Sequence, residues 1–193
     1  MAREALGIIG SPRSASVSSR LLQAGLDALA AAGWTVSTFD APHADIAACP
    51  ACGACAKTGR CVRRDPMGAL LEKLLAVDAV LVASPIYFYG LPAQLKTIID
   101  RSQPIWQRRW RLGEDVLADR QARPCLAFLV AGGPETEKLW TGAELTLGVW
   151  ANTLGLERPA AFRRAETDGA DEATLVRWAD EAAAFTRDRL ASD

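Results

Sequence analysis

Short apolar runs alternate with longer amphipathic stretches along the 193 residues of the chain. Continuous apolar runs predict buried strands, and apolar residues spaced three and four apart predict helices between them. Gly33 and Gly155 stand where two of these helices are expected to end. The predicted strands are 5–10, 34–39, 79–87, 124–133 and 156–162, and the predicted helices are 16–32, 67–76, 91–99, 137–154 and a last one carrying Leu175, Trp178, Ala182 and Phe185.

This alternation predicts an α/β fold, a doubly wound parallel sheet with helices on both faces. We find no internal repeat, low-complexity segment or interdomain linker, so we expect residues 1–193 to form a single domain. The one long connection, 105–123, is rich in Arg and Trp. Long connections inside a compact domain are usually functional or interfacial, which makes this segment a candidate for either role.

Composition narrows the class of protein. Half of the residues are hydrophobic and 23% are charged, with a formal net charge of −1, so we expect no nucleic-acid or anionic-membrane partner. The apolar runs are too short to span a bilayer, and the N-terminus lacks the pattern of a cleavable signal. We therefore expect a cytoplasmic protein, in which clustered cysteines favour metal or redox chemistry over structural disulfides.

The loop after the first predicted strand, GSPRSASVSSR (10–20), is a candidate phosphate site. It matches neither the dinucleotide fingerprint nor the nucleotide-triphosphate loop. A helix is expected to begin here, and its free amides and positive dipole end favour an anion. A simple helix cap would need only one serine. The loop offers hydroxyls at Ser11, Ser14, Ser16, Ser18 and Ser19 and the guanidinium of Arg13.

Two further loops follow predicted strands and suit a planar ring. The segment SPIYFYGLPAQLK (84–96) holds both tyrosines of the chain around Phe88, and these aromatics form either a wall for a ring or a plug over the next helix. The segment VAGGPETEK (130–138) has two glycines that let backbone approach a ligand closely. A phosphate site, an aromatic wall and a glycine turn at one sheet edge predict a mononucleotide with a planar ring, and FMN is the simplest such ligand.

Four of the five cysteines lie in CPACGACAKTGRC (49–61). Three thiols within seven residues, followed by a fourth, suit one face of an iron–sulfur cubane. Structural zinc sites usually use two separated pairs, so zinc fits less well, and free or reversibly oxidised thiols are a third interpretation. We expect Cys125, inside a predicted strand, to be a core residue and His43, the only histidine, to be solvated.

The loop GSPRxxSxS, the stretch SPIYFYGLPAQLKTIIDR and the AGG turn resemble the flavodoxin-like NADPH-dependent FMN reductase superfamily over residues 5–155. The spacing C-x2-C-x2-C-x5-C resembles the iron–sulfur flavoproteins of that superfamily. The resemblance implies a five-stranded sheet in the order 2-1-3-4-5, bound FMN, a 4Fe–4S cluster and a homodimer or homotetramer in which a neighbouring subunit helps to close the flavin site.

The resemblance also assigns residues to the two sites. Two segments depart from the usual pattern of the family. Asp65-Pro66 stands in place of paired aspartates, and residues 16–19 read Ser-Val-Ser-Ser in place of the more usual Asn-Thr. The implied phosphate contacts are Ser11, Arg13, Ser16, Ser18 and Ser19; the implied isoalloxazine and ribityl contacts are Pro85, Ile86, Tyr87, Phe88, Tyr89, Gly90, Gly132 and Gly133; the implied cluster ligands are Cys49, Cys52, Cys55 and Cys61.

These features predict an FMN-dependent oxidoreductase that takes electrons from NAD(P)H or ferredoxin. Its acceptor would be a quinone, a flavin or an oxygen species, with the cluster as an intermediate carrier if one is held. The sequence has no constellation for acid–base or nucleophilic catalysis, so we expect FMN to carry the chemistry and no side chain to be catalytic. The alternatives are a non-catalytic flavodoxin-like electron carrier, a class that is typically strongly acidic, and a redox-sensing FMN-binding protein.

The connection 105–123 carries one further hypothesis. Trp106 and Trp110 are four residues apart and share a face on a helix, so we expect a subunit interface there. An ordinary solvated loop with one anchoring tryptophan is the alternative. The same segment offers Arg108, Arg109 and Arg111 as contacts for an anionic nicotinamide cofactor.

Overall fold

The structure is a computed structural model that describes residues 2–117 and 120–190. Five parallel strands form one sheet in the order β2-β1-β3-β4-β5, which confirms the expected flavodoxin-like architecture. The strands are β1 (Glu4–Ile9), β2 (Thr35–Asp40), β3 (Ala79–Pro85), β4 (Cys125–Val130) and β5 (Ala160–Arg164). The helices are α1 (Val17–Ala31), α2 (Cys55–Thr58), α3 (Met67–Ala76), α4 (Ala93–Asp100), α5 (Gln103–Trp106), α6 (Thr141–Thr153) and α7 (Glu172–Leu190).

Two hydrophobic cores lie on the two faces of the sheet. One contains apolar residues of α1 and α7 against the strands, including Leu26, Leu81 and Phe128. The other contains residues of α3, α4 and α6, including Leu74 and Trp150. The central strands β3 and β4 are buried along almost their whole length because both of their faces are covered. In the described part of the chain, no helix has both the length and the apolar character needed to cross a membrane.

Several predicted bounds differ from the observed ones, and three of the differences have a clear physical reason. β5 begins at Ala160, four residues later than expected, directly after Pro159, which lacks the N–H that a strand ladder uses. α6 begins at Thr141 because residues 137–140 form a turn, in which Trp140 donates its indole N–H to Glu135 Oε1 at 2.9 Å. The connection 105–123 is partly helical, since α5 continues into a π-helical turn, Gln107–Arg111.

Arg123 ties this connection to two helix ends. Its side chain is buried, and Nη1 donates to the carbonyl oxygens of Leu74 at 3.0 Å and Val77 at 2.6 Å, at the end of α3. Nη2 donates to the carbonyl oxygen of Leu154, after α6, at 2.6 Å. Burial, followed by the charge of Arg120, lowers the pKa of Arg123 to about 10, so the guanidinium is still charged at neutral pH. One buried cation thus satisfies carbonyls that two helix ends leave free.

Replacing Arg123 with Ala should lower the free energy of unfolding by about 3 kcal/mol, because several buried carbonyls lose their donor. Arg120 is the matched control: it donates to the carbonyls of Leu75 and Ala76, but its side chain is 35% exposed, so water can replace it. Arg120→Ala should cost about 1 kcal/mol or less. Denaturant titration measures both, and equal losses would contradict the role given to Arg123.

Candidate functional site

A cavity of about 480 Å³ lies at the carboxyl ends of the strands. Loops after β1, β3, β4 and β5 all contribute to it, as expected for a parallel sheet. Its size falls within the usual range for small-molecule sites. It is lined by Ser11, Arg13, Ala15, Ser16, Val17, Ser18, Pro85, Ile86, Tyr87, Val130, Gly132, Gly133, Thr167 and Asp168.

The start of α1 forms the polar end of this cavity. Ser16 is the cap residue of the helix, and its Oγ accepts a hydrogen bond from the Ser19 amide at 3.1 Å. Ser16 Oγ also donates to Ser19 Oγ at 2.7 Å and lies 3.2 Å from Ser18 Oγ. Ser11 Oγ accepts from the Arg13 amide at 3.2 Å. The hydroxyls are thus grouped at a helix N-terminus, where free amides and the helix dipole favour an anion.

The loop after β3 forms the apolar side of the cavity. Pro85, Ile86 and Tyr87 line it, and the Ile86 amide donates to the Val130 carbonyl at 2.8 Å, which joins this loop to the end of β4. Tyr87 and Gly90 exchange two backbone hydrogen bonds, at 3.0 and 2.9 Å, and so close a tight turn.

The tip of that turn lies away from the cavity. Phe88 and Tyr89 have φ angles of 49° and 61°, in the left-handed region that non-glycine residues rarely adopt. Phe88 is fully exposed at 103% and Tyr89 is 53% exposed. Two large aromatic side chains held in solvent on a strained turn are suited to contact a ligand or a protein from outside this chain.

The far side of the cavity comes from two neighbouring loops. The Thr167 amide donates to the Ala131 carbonyl at 3.0 Å, so the 3₁₀ turn Thr167–Gly169 runs along the glycine turn after β4. A Cβ on Gly132 would overlap the carboxylate of Asp168. Gly132 therefore lets an acidic side chain sit directly on the backbone at the cavity wall.

The structure brings together nine of the thirteen predicted flavin-site residues. Ser19, Phe88, Tyr89 and Gly90 are outside the lining. Ser19 Oγ accepts a hydrogen bond from Ser16 Oγ, and the other three residues follow Tyr87 in the tight turn. Thr167 and Asp168 were missed. The prediction ended the fifth strand at residue 162, and the true end at Arg164 would have pointed to the loop that follows.

The four clustered cysteines line a second cavity, of about 420 Å³. Cys55 begins the short helix α2, which ends at Gly59 with a left-handed φ of 65°. Burial raises the pKa of the Cys55 thiol, and the nearby thiols of Cys49, Cys61 and Cys52 raise it further. The thiols are thus close enough to affect one another electrostatically, which is a setting in which a bound cation would stabilise thiolates.

The fit of these thiols to a metal group can be judged from their arrangement. Among the residues that the structure describes, no three His, Cys, Asp or Glu side chains are arranged as a group that could hold a metal ion. All four sulfurs nevertheless belong to residues that face one cavity, and thiolates are the ligand type that iron–sulfur clusters use. The donor set therefore fits a cluster, and its presence stays a prediction.

Asp65, one of the positions that depart from the usual pattern, pairs with a buried arginine. Both Asp65 oxygens accept hydrogen bonds from Arg101, at 2.7 and 2.9 Å. These bonds lower the pKa of Asp65, so the carboxylate stays charged well below neutral pH. Arg101, at the end of α4, lines the cysteine cavity and is 1% exposed.

Cys125 and His43 stand apart from both sites. Cys125 is buried in β4, and burial raises its pKa to about 12, as a core thiol requires. His43 is exposed, with Nδ1 at 2.9 Å from Asp40 Oδ2. Both expectations are confirmed.

In the Arg/Trp connection, some side chains are exposed at the surface and others bind to neighbouring parts of the chain. The Trp106 and Trp110 rings lie 5.7 Å apart and are 41% and 46% exposed, so they do share a face, and their role in a subunit interface stays a prediction. Arg109 donates to the carbonyls of Asn152 and Thr153, which gives it a structural role at the end of α6. Arg108 pairs with Glu114 at 2.6 Å, and the nicotinamide hypothesis for Arg108, Arg109 and Arg111 remains untested.

A family model and several named relatives match half of the chain or more. A family model described as NADPH-dependent FMN reductase matches residues 4–135, more than half of the chain. An iron–sulfur flavoprotein of Archaeoglobus fulgidus is 40% identical over 105 residues, 54% of this chain and 48% of the relative. One from Methanosarcina thermophila is 36% identical over 110 residues, 57% of this chain and 58% of the relative. The matches span about half the length of these relatives, and they support the expected resemblance to the iron–sulfur flavoproteins.

Solved structures match the fold over nearly its whole length. An FMN-dependent NADH-azoreductase from Bacillus anthracis in complex with FMN has a TM-score of 0.71 at 17% identity, covering 98% of this chain and 100% of that one. An NAD(P)H:quinone oxidoreductase from Methanothermobacter marburgensis has a TM-score of 0.74 at 16% identity, covering 100% and 98%. At such identities the likeness concerns the fold alone. With the family match over residues 4–135, the chain belongs to the NADPH-dependent FMN reductase family.

Proposed function

We propose that the chain is an FMN-dependent oxidoreductase that takes electrons from NAD(P)H and passes them to a small acceptor such as a quinone. The observation that supports this most strongly is the cavity at the sheet edge. It combines serine hydroxyls and Arg13 at a helix start with Pro85, Ile86 and Tyr87 on an apolar side. One end therefore suits a phosphate and the other a planar ring, which is the chemistry of a flavin mononucleotide.

In this proposal the chain's residues bind and orient, because FMN supplies the chemistry of accepting a hydride and releasing electrons singly. The hydroxyls of Ser11 and Ser18 would donate to phosphate oxygens, and Arg13 would add a charge-assisted hydrogen bond. Ser16, whose hydroxyl donates to Ser19 Oγ, would shape the start of α1 around the phosphate. Pro85 and Ile86 would exclude water from one side of the ring, and Gly132 lets Asp168 lie against the backbone at the opposite wall. Asp168 places a negative charge at the wall.

The test is flavin binding followed by steady-state turnover with NADH or NADPH and an added quinone. The proposal predicts one FMN bound per chain and pyridine-nucleotide oxidation that depends on the quinone. A protein that binds no flavin would overturn it. Bound FMN without turnover would instead favour the electron carrier or redox sensor. The named relatives, an azoreductase and a quinone oxidoreductase, make a quinone the first acceptor to try.

Replacing Arg13 with Gln should weaken FMN binding about 10- to 100-fold, because a charge-assisted bond to phosphate is lost. Riboflavin, which lacks the phosphate, should bind equally well to both proteins. Fluorescence titration of the flavin-free protein measures both affinities. Arg187→Gln, an exposed change on α7, is the control and should leave both unchanged. Equal weakening of FMN and riboflavin by the Arg13 change would contradict a phosphate contact.

Replacing Asp168 with Asn should raise the two-electron midpoint potential of the bound FMN by about 20 mV. The reason is that a fixed negative charge opposes the negative charge gained on reduction, although solvent screens an exposed carboxylate. Glu166→Gln removes an equally exposed charge two residues away that does not line the cavity, and should shift the potential less. Equilibration with redox dyes measures the midpoint potential of each variant. Identical shifts in the two variants would contradict a specific effect of Asp168 on the bound FMN.

We further propose that Cys49, Cys52, Cys55 and Cys61 hold a 4Fe–4S cluster. Three facts support this: the four residues line one cavity, their thiols influence one another, and the relatives at 36–40% identity are named iron–sulfur flavoproteins. Such a cluster exchanges single electrons, so an electron-transfer protein such as ferredoxin becomes a second donor beside NAD(P)H. The chain would then hold one group suited to two-electron exchange and one suited to one-electron exchange.

Replacing Cys52 with Ser should remove most of the iron after anaerobic reconstitution and leave the FMN content unchanged, because Cys52 lines only the second cavity. Cys125→Ala is the matched control, since its thiol is buried in β4, and it should keep the iron. Iron, sulfide and flavin assays on the same samples measure this. Iron retained by the Cys52 variant, or zinc in place of iron in the unaltered protein, would contradict the cluster.

A further inference from the structure

Arg101 is a charged side chain in an almost fully enclosed position. It follows the last residue of α4 and is 1% exposed. Burying a guanidinium is costly unless its donors are satisfied, so such a residue is expected to have a specific set of acceptors.

Its acceptors surround the cysteine segment. Nη1 donates to the carbonyl oxygen of Ala47 at 2.6 Å and to Asp65 Oδ2 at 2.7 Å. Nη2 donates to Asp65 Oδ1 at 2.9 Å and to Cys61 Sγ at 3.6 Å. Ala47 precedes Cys49 by two residues, and Asp65 follows Cys61 by four. One guanidinium therefore fixes both ends of the segment and contacts one of its sulfurs.

Arg101 also lies between two cavities. It lines the cavity that all four cysteines share and, with Cys61, a neighbouring cavity of about 520 Å³. Cys61 thus lies between the two, held from one side by the guanidinium. The opposite end of α4 begins at Ala93, shortly after Pro85, Ile86 and Tyr87, which line the candidate flavin cavity, so one helix connects the two candidate sites.

A purely structural anchor would need only Asp65 and Ala47. The contact with Cys61 Sγ is additional, and it matters for a metal site because hydrogen bonds and charge near ligand sulfurs set the reduction potential of iron–sulfur clusters. A cation donating to sulfur stabilises the more negative, reduced state and therefore raises that potential.

We propose that Arg101 is a positioning residue of the cysteine site: it holds the segment in place through Ala47 and Asp65, and it orients Cys61 and raises the cluster's reduction potential through its bond to the sulfur. This inference rests on the proposed 4Fe–4S cluster. It requires no contact between Arg101 and FMN.

The test compares anaerobically reconstituted full-length variants. Arg101→Gln should retain iron about 10- to 100-fold less well against a chelator, as expected for the loss of a residue that supports a metal ligand. The cluster that remains should have a lower midpoint potential in an EPR-monitored titration. Arg101→Lys keeps the charge without the planar guanidinium, so its iron retention and cluster potential should lie between those of the unaltered protein and Arg101→Gln. It serves as the second variant if Arg101→Gln folds poorly.

Lys96→Gln is the matched control, because Lys96 lies on the same helix in an exposed pair with Asp100. It should change neither iron retention nor potential. Iron-containing Arg101 variants with an unchanged cluster potential would overturn the inference and leave the cluster proposal standing. A reconstituted unaltered protein that holds no iron would overturn both, and its FMN content would still test the flavin proposal separately.

Discussion

The parallel pairing of the sheet is the constraint on which the candidate sites depend. Because every strand runs in the same direction, the loops that follow β1, β3, β4 and β5 emerge at one edge. The chain goes outward from β1 to β2 and then returns to β3 on the other side of β1, which makes β1 and β3 the switch point of the topology. The serine loop follows one of these strands and the Pro-Ile-Tyr loop follows the other, so the cavity lies where such sheets bind ligands.

The second constraint is the short helix between the two candidate sites. α4 has eight residues and therefore spans about 12 Å, with the flavin-side turn before it and Arg101 after it. Its buried face, including Leu95 and Ile98, packs into the core beneath the sheet. A rigid helix fixed in this way sets the position of Arg101 relative to the flavin cavity. The cysteine segment, which has only short helical structure of its own, takes its position from Arg101 and Asp65.

Much of this architecture could be predicted from the sequence because it depends on local patterns. The apolar runs of β1, β3 and β4 and the serine-rich start of α1 are local signals, and nine predicted flavin-site residues do line one cavity. Both bounds of β5 were wrong, because LERPAAF predicts a strand over 156–162, whereas the observed strand begins only after Pro159 and continues to Arg164. The misplaced end is the reason that Thr167 and Asp168 were missed. Arg101 contacts Asp65 and Cys61, which are 36 and 40 positions away along the chain, and no local sequence pattern predicts such contacts.

One helix, α4, connects the candidate flavin cavity with the cavity that the four cysteines line. The most direct measurement is an anaerobic assay of FMN, iron and acid-labile sulfide in a single preparation of the unaltered protein. We expect one FMN with about four irons and four sulfides per chain. FMN with neither iron nor sulfide would contradict the cysteine half, and iron without FMN would contradict the flavin half.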